Sequence, residues 1–158
     1  MTSRNIRYIV GLLIFPLLLC SCDPKRLFEE NRVVDKGIWS STEKQIFEVT
    51  IPDTTLRYNV YLNIRNAMEY PYSNLYIFMQ TVFPDGRIAR DTIECALADY
   101  DGRWLGSGMG SVKYNRFLLQ NGVSFRQKGT YRFELEQAMR VNELKGIRDI
   151  GLRIEKNE

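Results

Sequence analysis

The 158-residue sequence contains no histidine and only three cysteines, Cys20, Cys22 and Cys95. Without imidazole, serine and cysteine triads lose their usual general base. Zinc loses its commonest ligand, and the remaining thiols are too few to replace it. Paired carboxylates of the glycosidase kind remain chemically open, but no spacing among the 19 acidic residues singles out a pair. The chain is therefore expected not to be an enzyme and to need no metal or cofactor. A membrane-spanning segment is also missing: the apolar run Tyr8–Leu19 is 12 residues long. As a helix it would cover about 18 Å of a hydrocarbon core about 30 Å thick. Internal repeats and low-complexity tracts are absent too.

What the N-terminus does have is order. Arg4 and Arg7 precede the apolar run, and Leu19-Cys20-Ser21-Cys22 follows it, a charged region, an apolar region and a cleavage site in the sequence of a secretion signal. Leu19 at −3, Ser21 at −1 and Cys22 at +1 form a lipobox. Cys20 as acceptor would put the large Leu19 at −1, where a small side chain is needed. The expectation is a lipoprotein signal peptide over residues 1–21, cleavage between Ser21 and Cys22, and lipidation of Cys22 by palmitate-type acyl chains. Each buried methylene contributes about 0.8 kcal/mol, so several chains hold the protein at a membrane effectively permanently.

Removing the signal takes two arginines and no acid, which lowers the formal charge from +3 to +1. No footprint for a polyphosphate backbone remains, so nucleic acid is not an expected partner. Cys95 is left as the sole free thiol. In Ile93-Glu-Cys-Ala-Leu97 it shares a face with two apolar residues, which reads as a buried thiol rather than a nucleophile.

Residues 22–37 are polar and of mixed charge, and are expected to form a tether that partly docks on the domain. Residues 38–158 are expected to form one domain. After Trp39 the apolar period becomes 2, the mark of half-buried strands. Phe47, Val49 and Ile51 alternate with polar neighbours, and Leu56, Tyr58, Val60, Leu62 and Ile64 line one face of a second strand. Leu75–Phe83 is apolar on both faces, suggesting a central strand. Phe83-Pro84-Asp85-Gly86 fits a type I turn with proline at i+1. Further strands are expected near 93–97, 117–119, 123–125, 131–135 and 150–154. Helix formers run unbroken only over Glu136–Leu144, with Gly146 as a stop. The fold class is mainly β, a single antiparallel β-sandwich of jelly-roll or immunoglobulin-like connectivity with one short helix.

Asp99–Gly110 is the most unusual stretch, with four glycines in nine residues. It lacks the Gly-Lys-Ser/Thr of a phosphate loop, and Asp99-x-Asp101-Gly102 lacks the remaining ligands of a calcium loop. Trp104 between these glycines, with Tyr70 and Tyr72 of Tyr-Pro-Tyr, are the candidate contacts for a protein partner or a sugar. The alternatives are that Trp104 plugs the core under a long loop and that Tyr70-Pro71-Tyr72 is merely a strand connection.

Several stretches together resemble the gliding motility lipoprotein family GldH: Cys22-Asp-Pro-Lys-Arg-Leu-Phe-Glu-Glu30, Tyr58-Asn-Val-Tyr-Leu-Asn-Ile-Arg-Asn66, Glu69-Tyr-Pro-Tyr-Ser-Asn-Leu75, Phe83-Pro-Asp-Gly86, Gly102-Arg-Trp-Leu-Gly106, Glu136-Gln-Ala-Met-Arg140 and Gly151-Leu-Arg-Ile-Glu-Lys156. They occur in order across the whole mature chain. The resemblance implies a lipid-anchored cell-envelope protein of the gliding machinery, a system tied in many such bacteria to type IX secretion. Its partners would be other gliding and secretion proteins of the envelope, and its place the cell membrane, with the outer membrane favoured. A carbohydrate-binding β-sandwich lipoprotein is the alternative.

Overall fold

Alternating burial builds nearly every element. In the computed structural model, which describes residues 23–157, ten strands follow one another. They are β1 (Arg26–Val33), β2 (Ile38–Ser40), β3 (Gln45–Ile51), β4 (Arg57–Ala67), β5 (Asn74–Val82), β6 (Ile88–Ala96), β7 (Val112–Val123), β8 (Gly129–Gln137), β9 (Glu143–Lys145) and β10 (Ile147–Asn157). The expected signal peptide over 1–21, with Ser21 and Cys22 of its expected cleavage site, lies outside the described residues.

All pairings are antiparallel, and they make two four-stranded sheets. One has the order β1-β10-β4-β7, the other β3-β8-β5-β6. Counting only these eight strands, the orders are 1-8-3-6 and 2-7-4-5, which is the jelly roll. That connectivity resolves the choice the sequence left open. The short ribbon β2-β9 closes one end, where Trp39 is fully buried and donates its indole N–H to the Glu43 carbonyl at 3.0 Å.

Inward faces fill the space between the sheets. Tyr58, Val60, Leu62 and Ile64 of β4 meet Phe47, Val49 and Ile51 of β3, Ile77 and Leu75 of β5, and Leu152 and Ile154 of β10 in one core. Cys95 is fully buried in it, and burial pushes its thiol up to about 12. The Phe83–Gly86 turn closes as expected, with the Gly86 amide donating to the Phe83 carbonyl at 2.9 Å. β5 is indeed interior to its sheet, between β8 and β6.

Three expectations need correction. No helix forms over 136–144: Glu136 and Gln137 pair with Phe78 and Ile77 and so extend β8. Beyond them the Gln137 side chain donates to the Val141 carbonyl at 2.7 Å and accepts from the Met139 amide at 2.8 Å, fixing a turn. Ladder hydrogen bonds override helix propensity here, and the one helical feature among the described residues is a 3-10 turn at Asp35–Gly37. Second, the segment expected as a tether is largely strand. β1 pairs with β10 from Arg26↔Glu155 to Val33↔Asp149. Its mixed polarity reflects an edge strand with one wet face. Third, 117–119 and 123–125 are not two strands, since β7 runs unbroken to Val123.

Candidate contact surface

Strand register sorts the loops into two ends. β1 and β4 begin, and β7 and β10 finish, at one end, because Arg26 pairs with Glu155, Asn157 with Arg57, and Tyr58 with Val123. Asp23, the first described residue, lies at this end, hereafter proximal. The loops 41–44, 68–73, 97–111 and 138–142 gather at the other, distal end.

The sequence-predicted aromatics meet at the distal end. Tyr70 lies 5.6 Å from Tyr72 and 6.5 Å from Trp104, ring centre to ring centre. They differ sharply in exposure. Tyr70 is buried at 4 %, Trp104 is half-buried, and Tyr72 is 37 % exposed. The Tyr70 hydroxyl donates to the Asn74 carbonyl at 2.9 Å, and burial raises its pKa. Its backbone presses on Gly146 (φ +93°), where an added Cβ would sit 2.9 Å from the Tyr70 Cα. The structure thus places Tyr70 as a packing group. It supports Tyr72 and Trp104 from beneath.

The glycine-rich segment is a folded projection. Backbone bonds from Leu105 to Leu97, Asp99 to Arg103 and Gly102 to Asp99 make a small ribbon. Asp99 Oδ1 accepts the amides of Asp101 (3.0 Å) and Arg103 (2.8 Å), and the Arg103 guanidinium spans both carboxylates. Those carboxylates serve a turn. At the base, Gly106 sits so close to Asn115 that an added Cβ would lie 2.6 Å from its Oδ1. Asn115 in turn donates to Asn66 in the interior at 2.9 Å. On this rigid base, Tyr100, Leu105 and Met109 point into solvent, with Met68 beside them.

A second feature was missed by the sequence reading. On the outer face of β5 and β6, Tyr72, Tyr76, Phe78 and Thr92, with Met139, Arg140 and Val141, line an open groove of ≈ 510 Å³. Its signal was the even-numbered apolar positions of β5, taken only as a mark of a central strand. Tyr76 and Asn74 hydrogen-bond Glu94 and, Asn74 first, hold its carboxyl below the usual range. Arg90 lies over the Phe78 ring at 4.6 Å. The neighbouring Glu134 and Glu136 share Lys44 at 3.0 Å each, and Arg132 and Arg90 complete their ion pairs. This pair of carboxylates is neutralised in place.

Comparison with known proteins gives the family of the chain. The model of the GldH lipoprotein family matches residues 26–154. A gliding motility lipoprotein GldH homolog of Christiangramia forsetii is 36% identical over 159 residues, spanning 96% of this chain and 97% of that protein. The gliding motility lipoprotein GldH of Flavobacterium johnsoniae is 34% identical over 154 residues, spanning 93% and 95%. Among solved structures, dimeric latent PorU of Porphyromonas gingivalis aligns at 10% identity and a TM-score of 0.36, covering 87% of this chain and 14% of that one. At that score the fold argument rests on this chain's own strand order.

Proposed function

Because the chain belongs to the GldH lipoprotein family, we propose that it is a lipid-anchored, non-catalytic assembly factor of the gliding motility machinery. Cys22 carries the lipid, in the outer membrane, and the distal end of the sandwich engages other envelope proteins of gliding and secretion. The observation that carries this reading is the clustering of Met68, Tyr72, Tyr100, Leu105 and Met109, all exposed, at the end opposite Asp23. Isolated exposed apolar residues are ordinary; several on one rigid projection mark a contact surface.

Deleting the gene in the source bacterium, with gliding and protein secretion scored separately, tests the role. Loss of gliding restored by the wild-type gene supports it; unchanged gliding and secretion would remove the family role. Cross-linking in intact cells should recover other gliding or secretion lipoproteins.

A second reading has one observation of its own. The row Tyr72, Tyr76 and Phe78 gives the groove an aromatic floor of the kind sugars stack on. Retention on envelope polysaccharide that is abolished by Tyr72→Ala would favour it, and no retention would exclude it.

A further inference from the structure

Cys22, the proposed anchor, directly precedes Asp23 in the sequence. Asp23 is itself held to the sheet by Arg153, whose side chain is only 8% exposed and which also binds Glu29 and Glu155. The Arg26 amide donates to the Asp23 carbonyl at 3.2 Å. A lipid on Cys22 would therefore bring the proximal end to the headgroups.

That end has the chemistry of an interfacial surface. It is formed by the loops 52–56, 83–87 and 124–128 together with the start of β1 and the end of β10. Arg26 and Arg87 are engaged by Glu29 and Asp85. Arg57, Arg126, Lys128 and Lys156 are exposed, and no salt bridge among the described residues includes them. Of the acids at this end, Asp53 is occupied by the amide and hydroxyl of Thr55 at 2.8 and 2.7 Å, Asp85 by Arg87 and by the Gln127 side chain at 3.0 Å, and Asp23, Glu29 and Glu155 by Arg153. Lys128 and Lys156 act on Asp53 through space. Between the cations, Leu56 and Ile88 are exposed large apolar side chains. At the distal end Lys44, Arg103 and Arg148 each sit on a carboxylate, while Lys36, Arg140 and Lys145 are exposed outside any salt bridge among the described residues; what distinguishes the proximal cations is that they lie at the end where Asp23 sits.

We infer that the proximal end is a docking face for an anionic lipid surface, with Arg57, Arg126, Lys128 and Lys156 on the headgroups and Leu56 and Ile88 at the acyl boundary. The face fixes the orientation of the domain, so that the distal end points away from the bilayer. Cations near an anionic leaflet and a few apolar side chains at the interface reinforce each other. Each cation strengthens binding about five-fold. The inference rests on Cys22 being the anchored residue.

The test uses the mature chain with Cys22→Ser, which keeps both sheets complete and carries no lipid. Cosedimentation is measured with vesicles of phosphatidylcholine alone and of phosphatidylcholine mixed with phosphatidylglycerol. The expected result is binding to the mixed vesicles only, weakened by salt and reduced about 25-fold in the double variant Arg126→Gln, Lys128→Gln. Equal binding to both vesicles, no binding to either, or an unaffected double variant would overturn the inference. Full competition by soluble glycerol phosphate would also overturn it, by assigning a site for a small anion instead of a surface. Because the assay omits the lipid, failed docking is distinct from a failure of the Cys22 assignment, which shows instead in precursor processing.

Discussion

Replacing Arg153 with Met removes the charge that joins β1, β10 and the anchor-proximal residue. The side chain is 8% exposed, while Glu155, Glu29 and Asp23 are 17%, 19% and 37% exposed. Removing one partner from a fully buried ion pair costs about 3–5 kcal/mol. Partial solvation of these carboxylates lowers that figure, and Glu29 keeps Arg116 at 3.1 Å and Asn63 at 3.3 Å. The expected loss is about 2 kcal/mol, arising at Glu29 and Glu155, a large share of a stability of about 5–15 kcal/mol. Urea unfolding of the Cys22→Ser mature chain reads it directly. With a slope of about 1–3 kcal/mol/M, the midpoint should fall by about 1 M. A double-mutant cycle with Glu29→Gln should return a coupling of about 1 kcal/mol. A midpoint moved by less than about 0.2 M, or zero coupling, would refute the claim that this cluster locks β1 into the sheet.

Gly106→Ala should cost about 2 kcal/mol, because the new Cβ displaces Asn115 from Asn66 in a closed interior; proteolysis should then cut within 97–111, and an unchanged digestion pattern would count against a rigid projection. Cys95 should react with a maleimide only at the rate of unfolding, given its full burial and raised pKa; fast labelling of the native Cys22→Ser protein would contradict this. Asp23, Asp53, Asp85 and Glu94 have carboxyl pKa values lowered, chiefly by hydrogen bonds to Arg153, Thr55, Arg87 and Asn74. A depressed folded pKa gives stability that is present above the ordinary values of 3.8 and 4.5 and is lost as pH falls below them. The urea midpoint should therefore decline once pH drops through that range, and a rise there would reverse the sign of the argument. Cys22→Ala should leave an uncleaved, unlipidated precursor; normal processing would overturn the choice of acceptor.

Where burial alternates, the fold was legible from the sequence. Tyr58, Val60, Leu62 and Ile64 lie on the core face as their spacing requires, whereas Leu56, on the same period, is exposed because the strand starts only at Arg57. Pairing partners decided what periodicity could not. Glu136 and Gln137 have good helix propensity, yet a vacant ladder beside Phe78 and Ile77 claims them. β1 escaped detection because only one face of an edge strand needs apolar residues. The structure brings the three aromatics together, but their exposure depends on neighbours remote in sequence, such as Gly146 against Tyr70. The proximal cations were invisible as a group, since they come from three separate segments and two of them neighbour Asp53 only in space.

The central claim is that the distal end meets protein partners while the proximal end meets lipid. A photoreactive amino acid placed singly at Met109 and at Lys128 in living cells tests it most directly. The account predicts one or a few discrete protein adducts from Met109, and lipid but no discrete protein adduct from Lys128. Discrete protein adducts from Lys128 with none from Met109 would contradict it.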